Sequence, residues 1–433
     1  MALEEASQRT APLDPAKYVG LGAADHYLTM GGEVRTAYEL FINEDYGRTP
    51  QDDSGSWLLR MMLHSNVRLG SHARGFAQLK STHEAGRDGG PTPVDVDRLD
   101  LHQGFAEVSI GDPRRKRSTS FSVRTGRQEL LYGAGRLIDV RDGPTVRRSF
   151  DAVLARLASR FIIADGLFAL EVPVNPGVFD DVGSSRPRLW GGYLQTARGA
   201  LGRLGFDAYY LGVDQAGLVY AAGPGREQRH SVGGRWWSAS DGLRHDIEFT
   251  YQVGRFNGDE STSDAKIRAW GAASSLAYTF TRSKLRPELS ASTGMTTGDT
   301  SAQDGTLGTF RSPFPNLRFA GATTRLGPSN LYGANGGFGL SPARTVRLQL
   351  TARSFWRTSR LDAAYSPVGF PQRVSDSRAG FVGANAALFG AWIPNAYTHV
   401  YSMVEVFIPG AYIRSAPPAE PSVFMTLGYQ FRF

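Results

Sequence analysis

Apolar and polar residues alternate with a period of two along most of this chain, and that period is what most limits the fold. From Trp57 to Gly70, Leu59, Met61, Leu63, Ser65, Val67 and Leu69 share one face, while Arg60, Met62, His64, Asn66 and Arg68 share the other. From Leu243 to Gly254, His245, Ile247, Phe249, Tyr251 and Val253 stand against Arg244, Asp246, Glu248, Thr250 and Gln252. From Thr345 to Arg357, Val346, Leu348, Leu350, Ala352 and Trp356 oppose Arg347, Gln349, Thr351, Arg353 and Arg357. A helix of 3.6 residues per turn would scatter these charges around its circumference. A strand puts each of them on a single side.

Eighteen such segments are expected: 32–42, 57–69, 72–83, 99–111, 119–128, 147–157, 160–172, 188–198, 203–213, 230–239, 243–254, 266–281, 284–296, 330–340, 344–357, 378–390, 397–408 and 422–433. Each is close to the ~9–11 residues that cross a bilayer as a tilted strand. Short connections, at 70–71, 158–159, 199–202, 240–242, 282–283 and 341–343, alternate with long ones at 43–56, 84–98, 129–146, 173–187, 214–229, 297–329, 358–377 and 409–421. That alternation predicts an all-β fold, a transmembrane antiparallel up-and-down β-barrel of about 18 strands in a bacterial outer membrane, with short periplasmic turns and long extracellular loops. The final strand ends on Phe431-Arg432-Phe433, an aromatic terminus like the signal read by the barrel-assembly machinery.

Composition supports this reading where it bears on it. Only 41% of the residues are hydrophobic, enough for a barrel in which just the outward half of each strand must be apolar. No apolar run reaches the ~18 residues of a membrane-spanning helix. The absence of Cys excludes disulfides, thiolate metal sites and a cysteine nucleophile. Residues 1–31 contain no apolar core of a signal peptide and are expected to be an N-terminal periplasmic segment whose signal is absent or removed, with the barrel spanning 32–433.

The stretch Gly126 to Asp151, with Tyr132-Gly133-Ala134-Gly135-Arg136 and Pro144-Thr145-Val146-Arg147-Arg148, resembles a signature of the alginate export family of outer-membrane barrels. So do Phe179-Asp180-Asp181, Trp190-Gly191-Gly192-Tyr193, Thr309-Phe310, Phe314-Pro315, Gly327-Pro328-Ser329-Asn330-Leu331, Phe355-Trp356-Arg357, Asp362 to Tyr365 and Phe407-Ile408-Pro409-Gly410. These fragments follow the family's order from about Gly31 to Phe433. Thr145 departs from the Asn expected in the Pro-x-Val-Arg-Arg run. The resemblance implies an eighteen-stranded export barrel.

Parity places Arg35, Arg60, His64, Arg68, Arg74, Gln78, Lys80, Arg124, Arg235, Arg244, Arg286, Arg347, Arg353, Arg357 and Arg432 on the inner wall, and Arg127 along the same path. The acids expected there are Glu33, Glu39, Glu107, Asp151, Asp246, Glu248 and Glu288. A cationic lumen concentrates anions, and the planar guanidinium fork suits carboxylates. The competing reading is that these arginines and acids pair across strands to satisfy one another. The loop from Glu129 to Val146, with Arg136, Asp139, Arg141 and Asp142 and followed by Arg147, Arg148 and Asp151, is expected to fold inward and narrow the pore. Its alternative is an ordinary surface loop.

Other signals are weak. Gly133-Ala134-Gly135-Arg136 lacks the Lys-Ser/Thr of a phosphate loop, and His83-Glu84 lacks the second His of a zincin. Asp95, Asp97 and Asp100 form a weak Ca²⁺ candidate, outweighed by a solvated acidic loop. No cofactor is implied and no catalytic set can be assembled, so an enzyme is not expected. The formal charge of +7 leaves no exposed basic stripe for nucleic acid. Trp190, Trp236, Trp237, Trp270, Trp392, Tyr429 and Phe433 read as an interfacial girdle.

The function expected is an outer-membrane channel with an Arg-rich, anion-selective lumen that passes anionic saccharides, an exported alginate-like polyuronate above all. An uptake porin for small anions is the alternative, followed by an outer-membrane enzyme or a structural sheath. Expected partners are membrane lipid and lipopolysaccharide, the barrel-assembly machinery, the anionic polysaccharide or small anion, and a periplasmic scaffold protein.

Overall fold

A computed structural model describes residues 17–433 apart from 24, 50, 52–53, 115–117, 184–186, 239, 302, 317–319, 324–325 and 373–376. Residues 1–16 of the expected N-terminal segment therefore lie outside the described residues. Eighteen long strands form the ring: β1 His26–Ile42, β2 Ser56–Leu69, β3 Ala73–Ala85, β4 Asp97–Ile110, β5 Ser120–Gln128, β6 Phe150–Ala158, β7 Ile162–Glu171, β8 Arg188–Thr196 and β9 Leu204–Tyr220. The second half is β10 Gly223–Ser238, β11 Leu243–Gly258, β12 Ala265–Thr279, β13 Glu288–Thr296, β14 Leu331–Ala343, β15 Val346–Arg357, β16 Phe381–Trp392, β17 Thr398–Pro409 and β18 Ser422–Arg432. Each pairs antiparallel with the next. β18 returns to β1 in a register running from Glu33 opposite Arg432 to Ile42 opposite Val423, and so closes the barrel. Closure leaves no edge strand, so the ring's backbone groups are satisfied without water. No helix among the described residues is long and apolar enough to cross a membrane.

The alternation sets which way each side chain points. On β2 the even residues Leu58, Arg60, Met62, His64, Asn66 and Arg68 are buried inside, while Trp57, Met61, Leu63 and Leu69 face outward. The short turns cluster at one end. Gly70 begins the β2–β3 turn at φ +65°, a conformation that a Cβ would strain.

Two boundaries differ from the pattern. β1 begins at His26, and His26 to Gly31 pairs with Leu69 to His64 of β2. The connection expected over 214–229 is absent. β9 and β10 run on as a paired hairpin to Tyr220 and Gly223, joined by Ala221 and Ala222, with a bulge between Gln215 and Leu218. Gly217, Gly223 and Pro224 make that stretch read as loop, but burial overrides their low strand propensity. Leu218 and Tyr220 pack with Phe256, Ile267, Leu307 and Tyr365, which come from neighbouring strands and from two long loops.

The barrel core is built largely by segments folded inside it. Leu130, Leu137, Ile138, Phe310 and Phe314, all from loops, pack against the inner-wall residues Phe150, Leu154, Tyr193 and Tyr209. A second cluster joins Tyr46, Ala320, Leu326, Tyr412 and Ile413 to Leu331, Phe355 and Phe407.

Candidate functional site: the constricted lumen

Most inner-wall cations carry a partner. Arg124 Nε donates to Glu107 at 2.8 Å, and Arg74 Nε to Asn66 Oδ1 at 2.7 Å. Arg235 lies between Asp207, at 2.9 Å, and Asp246, at 2.7 Å. Arg244 and Arg347 share Glu288, at 2.6 and 3.3 Å. Arg357 donates to the backbone carbonyls of Asp362, Ser377 and Ala379, each at 2.7 Å, and lies over the Tyr412 ring. Arg68 is buried with no hydrogen-bond partner for its Nε. The cross-strand pairing reading thus describes much of the wall.

Three assigned residues, Arg286, Asp151 and Arg127, stand elsewhere. Arg286 lies in the exposed turn after β12 at φ +43°, two residues before β13 begins, because Pro287 ends the strand pattern there. Asp151 carries the parity of Val153 and Leu157 on the outward face of β6, and pairs at 2.9 Å with Arg127 of β5 near the long-loop end. Arg127 also donates to Asp181 O at 2.9 Å, so this pair anchors the loop after β7 and does not line the wall. Trp237, read as girdle, points inward and donates Nε1–H to Asp207 at 2.9 Å.

The loop between β5 and β6 does fold inward. At one side of the barrel Arg35 Nη1 donates to Asp142 O at 2.9 Å and Arg35 Nη2 to Gly143 O at 3.2 Å. Beside them Arg60 grips Glu33 at 2.6 Å and Asp142 at 3.0 Å. At the β11 wall Arg136 reaches Asp246 at 2.7 Å and Glu248 at 2.5 Å. One strap therefore crosses the lumen. Burial presses the Arg136 guanidinium down, but Glu248 and Asp246 hold it above its ordinary pKa. Burial with Arg148 nearby lowers Arg141 to about 10, which leaves it cationic. Within the strap, Arg147 pairs with Glu129 at 2.8 Å, and Arg141 N donates to Asp139 Oδ1 at 2.6 Å. Arg148 bonds Glu171 at 2.8 Å and Asp139 O at 2.9 Å. Thr145, the departure from the family pattern, is buried and held through its N–H by Asp95 at 2.8 Å.

A second inward segment, 297–330, is not recognised from the sequence. Asp139 N donates to Phe314 O at 2.9 Å and Phe314 N to Leu137 O at 3.0 Å, a parallel bridge that docks it on the strap. Arg311 bonds Glu227 at 2.9 Å, and Gln252 donates to Arg311 O at 2.8 Å. Further along, Asn385 donates to Ala320 O and Thr323 N to Glu405, which carries the segment to the β16–β17 wall. The available signal was length combined with apolar content. So long a connection holding Leu307, Phe310, Phe314 and Leu326 cannot sit comfortably in water.

Asp97 and Asp100 come together with Asp181, all buried, while Asp95 serves the strap. Lys80 Nζ lies 2.6 Å from Asp97 and 2.7 Å from Asp181. The ammonium therefore stands where a cation would bind, and the three acids do not fit a Ca²⁺ site with open ligands.

Among the described residues an open cavity of about 620 Å³ lies along β11 to β15. Arg136, Arg235, Arg244 and Arg353 line it, and between the strands that carry Arg244 and Arg353 its wall is made of small residues of β12 and β13 such as Gly271, Ala273, Ser275, Ser290, Ser292 and Gly294. Small residues keep this sector wide where bulky ones would fill it. Arg353 sits between Asn335 and Asn385 in register and makes no hydrogen bond or ion pair among the described residues.

This geometry is a barrel with two segments folded inside it, and the comparisons return the same barrel fold. Solved structures share the fold at low identity. Pseudomonas aeruginosa OccK5 (OpdH) matches with TM-score 0.58 and 9% identity over 94% of this chain and 98% of that one. A BenF-like porin from Pseudomonas fluorescens Pf-5 matches with TM-score 0.61 and 8% identity over 94% and 99%. Pseudomonas aeruginosa OpdK, solved with vanillate, matches with TM-score 0.59 and 8% identity over 94% and 98%. No curated protein sequence matches the chain. The protein is an outer-membrane β-barrel channel and not an enzyme. The alginate export family matches residues 26–424, and the chain belongs to that family.

Proposed function

We infer that the channel passes an anionic saccharide, an alginate-like polyuronate carried outward. The observation that carries this reading is Arg353. Among the described residues it is an unpaired guanidinium in a lumen whose other arginines are mostly matched, and it lines the same cavity as the small Gly, Ala and Ser residues of β12 and β13. A carboxylate sliding along that wall meets one strong, bidentate donor and then the exchangeable pairs Arg244–Glu288 and Arg235–Asp246. Pairs that can trade partners give many shallow steps, which favours passage over capture. Family membership supports the polymer as substrate. The test is flux from liposomes holding the purified barrel, with oligouronates compared against neutral oligosaccharides of equal length. Faster oligouronate flux that declines in Arg353→Gln supports the reading, and equal flux for both sugars opposes it.

A second reading, uptake of small anions, draws on the constriction. Two inward segments leave a cavity of about 620 Å³, within the ~300–1,000 Å³ typical of small-ligand sites. Flux confined to monomeric anions would favour it.

A further inference from the structure

The short-turn end of the barrel carries a ring of cations. Arg160 is exposed in the β6–β7 turn, and Arg198 and Arg203 flank the β8–β9 turn. The β12–β13 turn presents Arg282, Lys284 and Arg286, all exposed, and Arg344 is exposed between β14 and β15. None of these has a carboxylate partner among the described residues; Arg203 donates only to Ser240, and Arg160 lies over the Phe161 ring. Against them stand Asp25 and Asp241, both exposed, and Asp112, which Arg114 holds at 3.0 Å.

The cations do not stand alone. Phe161 is 54% exposed beside Arg160, Leu201 lies between Arg198 and Arg203, and Phe280 and Leu285 bracket the Arg282–Lys284 pair. In water, such apolar tips next to unpaired charges gain nothing. At a membrane surface the apolar tip enters the acyl boundary while the cation reaches headgroup phosphate. The outward aromatics Trp236, Tyr278 and Trp392, each near a short-turn strand end, mark the same level.

We propose that this ring binds the phosphodiester headgroups of anionic phospholipid in the periplasmic leaflet, and so fixes the depth and orientation of the barrel. The commonest alternative occupant, an acidic polymer gathered at the periplasmic mouth, would need cations without the apolar tips.

The test is native mass spectrometry of the full barrel purified from bilayers holding equal phosphatidylglycerol and phosphatidylethanolamine, with heat-modifiable migration as the folding check. Wild type should retain phosphatidylglycerol preferentially. Arg282→Gln/Lys284→Gln/Arg286→Gln should lower that preference by roughly ten-fold or more, since each cation near an anionic surface contributes about five-fold. Arg160→Gln/Arg344→Gln, on two other turns, should lower it by a smaller factor and keeps the measurement open if the triple variant does not fold. Oligouronate blockade from the short-turn side should be the same in wild type and variants. Equal lipid ratios in all proteins would overturn the proposal. So would loss of blockade with the lipid ratio unchanged, which would assign the ring to the polymer.

Discussion

Arg136, near the middle of the β5–β6 loop, holds Asp246 on the far wall of the barrel at 2.7 Å. That contact turns a long connection into a strap fixed at both sides, because Arg35 and Arg60 secure its other arm through Asp142 and Gly143. Charge-assisted bonds of this kind contribute about 1.5–3 kcal/mol each when partly buried. Arg136→Ala should therefore raise the population of strap-open channels by roughly ten-fold or more. Single-channel recording checks this: larger, noisier conductance steps are expected, and an unchanged step size would show that the docked 297–330 segment holds the strap by itself.

Lys80 neutralises a buried cluster. Replacing it with Met leaves Asp97, Asp100 and Asp181 facing one another, and removing one side of a buried charge pair costs ~3–5 kcal/mol. Lys80→Met should melt well below wild type in a heat-modifiability assay. Wild type should melt at one temperature in EDTA and in Ca²⁺; a clear rise with Ca²⁺ would mean that a divalent ion enters the cluster despite Lys80.

Asn330 lies at φ +50° and is fully buried, and its amide donates to Ser359 O and Ala363 O, both at 2.9 Å. Its Oδ1 accepts Ser359 N–H at 2.6 Å. This one side chain clasps the 297–330 segment to the next long loop. Asn330→Ala should cost about 3 kcal/mol, from orphaned backbone groups and a strained φ. Limited proteolysis should then cut near 299–305 or 358–363 while the strands stay protected. Unchanged protection would place the clasp elsewhere.

Tyr209 gives the β11 acids a second tether, donating its hydroxyl to Glu248 at 2.8 Å. Tyr209→Phe keeps the ring packed on Tyr193 and removes that bond together with the hydroxyl's bond to Thr250 Oγ1 at 2.6 Å, each worth about 1 kcal/mol. A modest rise in open-channel noise is expected, well short of the Arg136→Ala effect. An effect as large as that of Arg136→Ala would make the tyrosine the main restraint.

The strands could be read from the sequence because lipid and lumen impose opposite demands on alternate residues, and Leu63 beside His64 shows that demand directly. The inward strap was readable in part. Arg136, Asp142 and Arg148 advertise a charged loop, but which wall each meets depends on contacts at very different separations, from 23 residues for Arg148 and Glu171 to 110 for Arg136 and Asp246. The 297–330 segment is hard to read because many of its bonds to the wall, such as Gln252 to Arg311 O and Asn385 to Ala320 O, use the loop backbone, and its one clear charged contact, Arg311 with Glu227, joins residues 84 apart. The wall arginines were placed by parity, but parity cannot tell Arg353, which is unpaired, from Arg244, which is neutralised by Glu288 across two strands. Arg286 and Asp151 show the limit of the method at strand ends, where one residue of fraying changes the side.

The most direct measurement is the reversal potential of the reconstituted barrel under a KCl gradient, for wild type and Arg353→Glu. An anion-selective wild type that loses or reverses its selectivity in the variant, with oligouronate blockade lost alongside, is the predicted result. A cation-selective wild type, or selectivity indifferent to residue 353, would contradict the account.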